Sequence, residues 1–175
     1  MNSELNKSKF LSPKEYDKLV VTLDEFELSD YRNVTLLLTA MFTGARPSEV
    51  LAIKKSDLSD ESKSVFIKGL KGSRDREIPL PPGIYSRLKT LACEAPTNQE
   101  KIFPIALRTM QTIWHNYRPT KKGVRSLRHT FAIRLYEKTK DIRLVQMALG
   151  HRSMSNTQVY AEYVYNQQEL RRLLL

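Results

Sequence analysis

The chain has 175 residues, with 29 Lys plus Arg against 19 Asp plus Glu and a formal net charge of +10. That length suffices for one domain with a sizeable core. A polar N-terminus argues against a signal peptide, no apolar run approaches the ~18 residues of a membrane span, and the lone Cys93 excludes an intramolecular disulfide and fits a reducing cytoplasm.

Ser12-Pro13-Lys14-Glu15 reads as a capping box with Pro at the first helical position, opening a helix to about Leu23. Asp24 to Ser29 is an acidic linker. Val34, Leu37, Leu38 and Met41 recur at helical spacing, so Tyr31 to Phe42 is expected to be a mostly buried helix that Gly44 ends. Pro47 opens a short helix through Val50, Leu51 and Ile53. Ser64 to Ile67 and Arg76 to Leu80 read as two short strands, joined by a turn containing Gly69, Gly72 and Ser73. Pro81-Pro82-Gly83 leads into a helix with Ile84, Leu88 and Leu91. After a loop from Ala95 to Glu100, Phe103 is a candidate strand residue and Leu107 to Asn116 a helix. Further helices are expected at Ser126 to Lys138, Asp141 to Leu149, about Asn156 to Tyr165, and Gln167 to Leu175. The architecture is therefore mostly α with a small antiparallel β-sheet, an α+β class, in a single domain spanning 1–175.

The positive charge is uneven. Residues 1–30 hold seven acids against four bases, and the remainder carries +13. From Arg118 to Arg128 the chain places Arg118, Lys121, Lys122, Arg125 and Arg128 with no acid between them. Such a stretch suits a polyanion such as DNA, with Arg118, Lys121 and Lys122 as its contacts. An ordinary basic surface would carry the same pattern.

The densest motif runs GVRSLRHTFAIRLYEKTKDIRLVQMALGHRSMSNTQVY, from Gly123 to Tyr160. It holds Leu127-Arg128-His129-Thr130, then Leu149-Gly150-His151, then Tyr160 nine residues after His151 and three after Thr157. Upstream stand Gly44-Ala45-Arg46-Pro47-Ser48-Glu49 and Lys71, eight residues before Pro79. In order and spacing this set resembles the catalytic domain of the tyrosine recombinases, the phage-integrase family, over about Leu11 to Tyr163. Carried over residue by residue, Arg46 matches the first arginine, Lys71 the lysine of the strand-strand turn, Arg128 the second arginine, His151 the late histidine and Tyr160 the nucleophile. Glu49 reads as an orienter of the site.

The chemistry stands apart from the resemblance. Metal-free cleavage of a phosphodiester needs a nucleophile, a proton donor for the leaving oxygen and cations on the non-bridging oxygens. A tyrosine can attack phosphorus and keep the bond energy as an ester. Two arginine forks can grip the phosphate and stabilise its transition state. A lysine in a turn can protonate the leaving 5′ oxygen. Each residue also has a plainer reading: Arg46 an i,i+3 ion pair with Glu49, Lys71 a solvated turn lysine, His151 a helix cap, and Tyr160 core packing beside Tyr163 and Tyr165.

One position departs from the family. The usual His-x-x-Arg is Arg125-Ser126-Leu127-Arg128 here. Arg125 and Arg128 are one turn apart and can face the same phosphate, yet an arginine stays protonated and cannot act as a base. His129 is a candidate substitute, set against its reading as a buried structural histidine. No metal site is expected, since His115, His129 and His151 are too dispersed to join Cys93 around zinc, and there is no P-loop.

The resemblance implies a site-specific DNA recombinase or integrase acting through a 3′-phosphotyrosyl intermediate on double-stranded DNA. It also implies no cofactor, a cytoplasmic setting, and a protomer that is monomeric alone and tetrameric on two DNA sites. A type IB topoisomerase-like enzyme shares the chemistry, and the Arg125 departure also admits an accessory DNA-binding protein that has lost cleavage. Relatives of this family usually carry an N-terminal DNA-clamping domain, which is expected to be absent here. Leu170, Leu173 and Leu174 in segment 166–175 make an apolar stripe expected to dock, on the chain's own domain or on a neighbouring protomer.

Overall fold

The computed structural model describes residues 5–175; the extreme N-terminus, residues 1–4, whose polarity argued against a signal peptide, lies outside the described residues. Helix α1 spans Pro13–Glu25, and its capping box is formed by Ser12 and Glu15. Helix α2 spans Tyr31–Thr43 and ends at Gly44, whose φ of 58° is left-handed. A Cβ at Gly44 would also run into the ring of Phe131, so both backbone and packing demand glycine there. Helix α3, Pro47–Val50, is shorter than expected because Leu51 and Ala52 turn the chain into the core.

Strands β1 (Leu58–Ser59), β2 (Ser64–Ile67) and β3 (Arg76–Pro79) form one antiparallel sheet in that order. β1 was not expected, since two residues cannot show an alternating pattern. β2 and β3 pair Val65 with Ile78 and Ile67 with Arg76, putting Arg76 on the inward face. Helices α4 (Pro82–Cys93) and α5 (Leu107–Tyr117) follow. Phe103 is not a strand residue: the extended contact is a single bridge from Lys54 to Lys101, and Phe103 enters the core.

Helix α6 (Ser126–Thr139) is the spine of the site. Leu127 packs into the larger core, with Leu37, Leu88, Met110 and Trp114. Ala132 and Ile133 pack into a second core with Val145 and Leu149 of α7 (Ile142–Leu149) and Tyr160 and Val164 of α8 (Ser155–Leu174). Full burial of side chains such as Leu19, Leu37 and Leu88 contributes roughly 1.5–3 kcal/mol each. Helix α8 runs unbroken where two helices were expected, because no Gly or Pro falls between Tyr165 and Gln167. Its last turns leave Leu170, Leu173 and Leu174 exposed, at 50%, 66% and 75%, so the stripe does not dock on its own domain. Among the described residues no helix is long and apolar enough to cross a membrane.

Candidate active site

The site is built around the carboxylate of Glu49, which is buried on the first turn of α3. Its Oε2 accepts from the Arg46 backbone N–H at 2.8 Å and from Arg76 Nη2 at 2.8 Å. Its Oε1 accepts from Arg46 Nη1 at 3.2 Å, and Arg128 Nη1 lies 3.8 Å from Oε2. Burial pushes this carboxyl up. The Arg76 and Arg46 hydrogen bonds and the charges of Arg76 and Arg128 outweigh that and hold it below its ordinary range. One carboxylate among three guanidiniums leaves a net positive cluster, which suits an anion. The i,i+3 ion pair between Arg46 and Glu49 is thus present, and the same carboxylate pairs with Arg76.

Arg128 is buried on α6 and spans two helix ends. Nη1 donates to Gly44 O at 2.7 Å, beyond the end of α2, and Nη2 donates to Leu149 O at 2.8 Å, at the end of α7. Helix C-termini leave carbonyls without intrahelical partners and carry partial negative charge, which is where a cation is stabilised. Burial, then the charge of Arg46, lowers the Arg128 pKa to about 10, and it stays protonated at neutral pH. Nη2 also meets His151 Nε2 at 3.0 Å. His151 Nδ1 meets Thr157 Oγ1 at 2.9 Å, on the first turn of α8. Burial and the charges of Arg128, Arg46 and Arg76 lower the His151 pKa to about 4. A neutral His151 therefore accepts from Arg128 at Nε2 and donates from Nδ1 to Thr157. The backbone N–H of His151 caps α7 through Gln146 O, so the capping reading holds as well.

Arg76 was missed from the sequence. Besides Glu49, its Nε donates to Ala148 O at 2.8 Å, and Arg74 N donates to Gly150 O at 2.8 Å. These contacts fasten the β2–β3 hairpin to the end of α7. Strand alternation held the signal: Arg76 shares a face with buried Ile78, and an arginine on an inward face needs a carboxylate.

The hairpin turn is tied at both ends. Gly69 N donates to Asp75 Oδ1 at 2.7 Å, and Ser73 Oγ accepts from Arg46 Nη1. Lys71 and Gly72 form the exposed tip, and Lys71 takes a left-handed φ of 52°. Among the described residues the Lys71 side chain makes no hydrogen bond or ion pair. Arg125 is exposed at the start of α6 while Arg128 is buried, so the two side chains do not share one surface. In the basic loop, Arg118 Nη1 donates to Lys121 O at 3.3 Å and Lys122 Nζ pairs with Glu15 at 2.6 Å. Lys121 is exposed.

Tyr160 is buried on α8, and its Oη lies 2.9 Å from His129 Nδ1. Burial raises the phenol pKa, and the charges of Arg128 and Arg46 pull against it. Tyr163, by contrast, stacks edge-on against Phe10, and Tyr165 is exposed. The structure thus joins Arg46, Glu49, Arg128 and His151 in one network and pairs His129 with Tyr160 within reach of the charges of Arg128 and Arg46, while Lys71 lies at the exposed tip of the β2–β3 hairpin. Such a network can hold a tetrahedral anion and present a phenol to it. Among the described residues no three His, Cys, Asp or Glu side chains converge as metal ligands.

The sequence profile described as the phage integrase family matches residues 9–167. The chain is 31% identical over 164 residues to tyrosine recombinase XerA of Pyrococcus furiosus, covering 87% of this chain and 56% of that relative. It is 31% identical over 170 residues to tyrosine recombinase XerH of Campylobacter jejuni, covering 88% of this chain and 48% of that relative. Among solved structures, XerH site-specific recombinase bound to palindromic difH substrate in a post-cleavage complex superposes with a TM-score of 0.75. The identity is 28%, with 97% of this chain and 54% of that one covered. The chain spans about half the length of the curated relatives it matches.

Proposed function

The chain belongs to the phage integrase family, and from that membership we propose that it is the catalytic domain of a site-specific tyrosine recombinase. The observation that carries this reading is the convergence of Arg46, at the start of α3, and Arg128, on α6, on Glu49, with Tyr160 of α8 within reach of both charges.

In this reading the phosphate of a DNA duplex binds at Arg46 and Arg128. Tyr160 Oη bonds to phosphorus, the bond from phosphorus to the 5′ oxygen breaks, and Lys71 supplies that oxygen with its proton. The 3′-phosphotyrosyl ester is then attacked by a 5′ hydroxyl, which rejoins the strand. The arginines stabilise charge that develops in each transition state. His151, its imidazole oriented by Thr157, accepts from Arg128 and holds that guanidinium in place for the same phosphate. Double-stranded DNA is the partner, as for the relative solved with its difH substrate. Arg125 and the 118–122 loop contact its backbone.

The chain acts as one of four protomers on two DNA sites and is a monomer in isolation. The exposed Leu170–Leu173–Leu174 stripe supports passage of the α8 tail to a neighbouring protomer.

The test uses nicked suicide duplexes, which trap a covalent adduct when the cleaved end is lost. Tyr160→Phe is expected to abolish adducts while DNA binding persists. Adducts lost on Tyr163→Phe and kept on Tyr160→Phe would overturn the assignment. A wild-type chain that binds DNA and never forms an adduct would leave only the accessory-protein reading.

A further inference from the structure

A phenol whose pKa is raised by burial cannot attack phosphorus without giving up its proton, so the site needs an acceptor within reach of Tyr160 Oη. Arg125 and Arg128 are guanidiniums and cannot accept. Glu49 is engaged by Arg46 and Arg76 and held below its ordinary range. His151 offers its Nε2 to Arg128. The remaining group is His129, which sits one residue along α6 from Arg128 and directs Nδ1 to Tyr160 Oη at 2.9 Å. Its ring lies 5.9 Å from the Tyr160 ring, tilted by 45°.

We propose that His129 is a catalytic residue, the general base for Tyr160. Nδ1 takes the phenolic proton as Oη bonds to the phosphorus of the DNA phosphodiester, while the 5′ oxygen leaves with a proton from Lys71. When the 5′ hydroxyl attacks the ester, its proton passes to Lys71, and His129 returns its own proton to the departing phenolate. The proposal rests on the strand-transfer reading above and assigns it a step that Arg125 cannot perform.

The electrostatics make the base dependent on its substrate. Burial, then the charges of Arg128 on α6, Lys9 in the N-terminal segment and Arg125, lowers the His129 pKa to about 4. The ring is therefore neutral at pH 7, and in the tautomer that carries its proton on Nε2 the Nδ1 lone pair faces Tyr160 on α8. A phosphate bound beside Arg128 offsets those positive charges and raises the basicity of Nδ1 towards the working pH, where a general base acts best. Cleavage then rises with pH as His129 loses its proton and levels off above its pKa in the complex.

The full chain is presented with a pool of nicked suicide duplexes of randomised sequence, and adducts are read on denaturing gels. His129→Asn keeps a hydrogen-bonding group near the Nδ1 position and cannot take a proton. Loss of a general base typically costs 10²–10⁴-fold, so adduct formation should fall by about that factor with DNA binding unchanged. The variant's rate should lose its plateau and climb with pH. Replacing Tyr160 by 3,5-difluorotyrosine, a more acidic phenol, should recover part of the loss in the variant and add little to the wild type.

A His129→Asn protein that cleaves at the wild-type rate overturns the proposal and leaves the recombinase reading standing. So does a loss that the acidic phenol does not reduce, which marks a packing role. A wild-type chain that forms no adduct with any duplex overturns both. A further readout needs no DNA: nitrogen NMR of labelled histidine should find Nδ1 of His129 unprotonated at neutral pH, and a proton on Nδ1 would refute the assignment.

Discussion

Replacing Glu49 by Gln removes one charge and leaves the shape of the side chain. The carboxylate it removes takes hydrogen bonds of 2.8 Å from the Arg46 backbone, 2.8 Å from Arg76 and 3.2 Å from Arg46 Nη1, with Arg128 3.8 Å away. The side chains of Glu49 and Arg76 are 0% and 5% exposed, so water cannot replace the lost partner. A glutamine also turns an NH₂ group towards guanidinium donors. Breaking a buried ion pair by removing one partner typically costs 3–5 kcal/mol, so a loss of about that size is expected. Total stabilities of single domains are about 5–15 kcal/mol, and the variant should remain measurable but fragile.

The assay is urea unfolding at a series of pH values, with the midpoint shift read at constant slope. The sign of the pH dependence follows from Glu49 being held below its ordinary range. Its contribution is fully present above the unfolded carboxyl's pKa and is lost as pH falls through the lower, folded value. Glutamine has no such contribution. Wild type and variant should therefore differ most near neutrality and converge in acid. A deficit under ~1 kcal/mol, the worth of a surface ion pair, would refute the reasoning, as would two curves that stay parallel into acid. Glu49→Leu combined with Arg76→Met should recover much of the loss, because it removes both charges together.

Arg46→Ala and Arg128→Ala should each lower adduct formation by about 10²–10³, the usual cost of one transition-state donor. They should differ in stability: Arg128 leaves the Gly44 and Leu149 carbonyls unsatisfied, at roughly 1–3 kcal/mol each, whereas the Arg46 side chain is 32% exposed. Equal urea midpoints for the two variants would contradict the role of Arg128 as a bridge between helix ends. Lys71→Ala should cleave slowly on ordinary DNA and recover in part on a 5′-bridging sulfur substrate, whose leaving group needs no proton; a complete lack of recovery would remove Lys71 as the acid. Gly150→Ala should cost about 1–3 kcal/mol in urea unfolding, since φ is +68° and the new Cβ would lie 2.6 Å from Arg74 O. A neutral result would show that the hairpin can move away from α7.

By itself the sequence determined what is local. Ser12-Pro13 and Gly44 mark helix ends because a capping hydroxyl, a proline and a left-handed glycine each act within one turn. The 3.6-residue spacing in Tyr31–Thr43 and the pattern around Ser64–Ile67 show in a short window for the same reason. The chain order and spacing of Arg46, Lys71, Arg128, His151 and Tyr160 carried the resemblance to the phage integrase family, which the profile match over residues 9–167 shows.

Tertiary structure decided what joins distant segments. β1 exists because β2 pairs with it, not because two residues favour a strand. Arg128 reaches Gly44, 84 residues away, through helix ends that only packing brings together. Arg76 became part of the site when the hairpin folded against the end of α7. The contact between His129 and Tyr160 arose the same way: α6 and α8 pack around a shared core of Ala132, Ile133, Val145 and Leu149, and that packing turns the imidazole to the phenol. Periodicity and capping act over a few residues, whereas these contacts depend on which faces of distant helices meet, and local pattern carries no record of that.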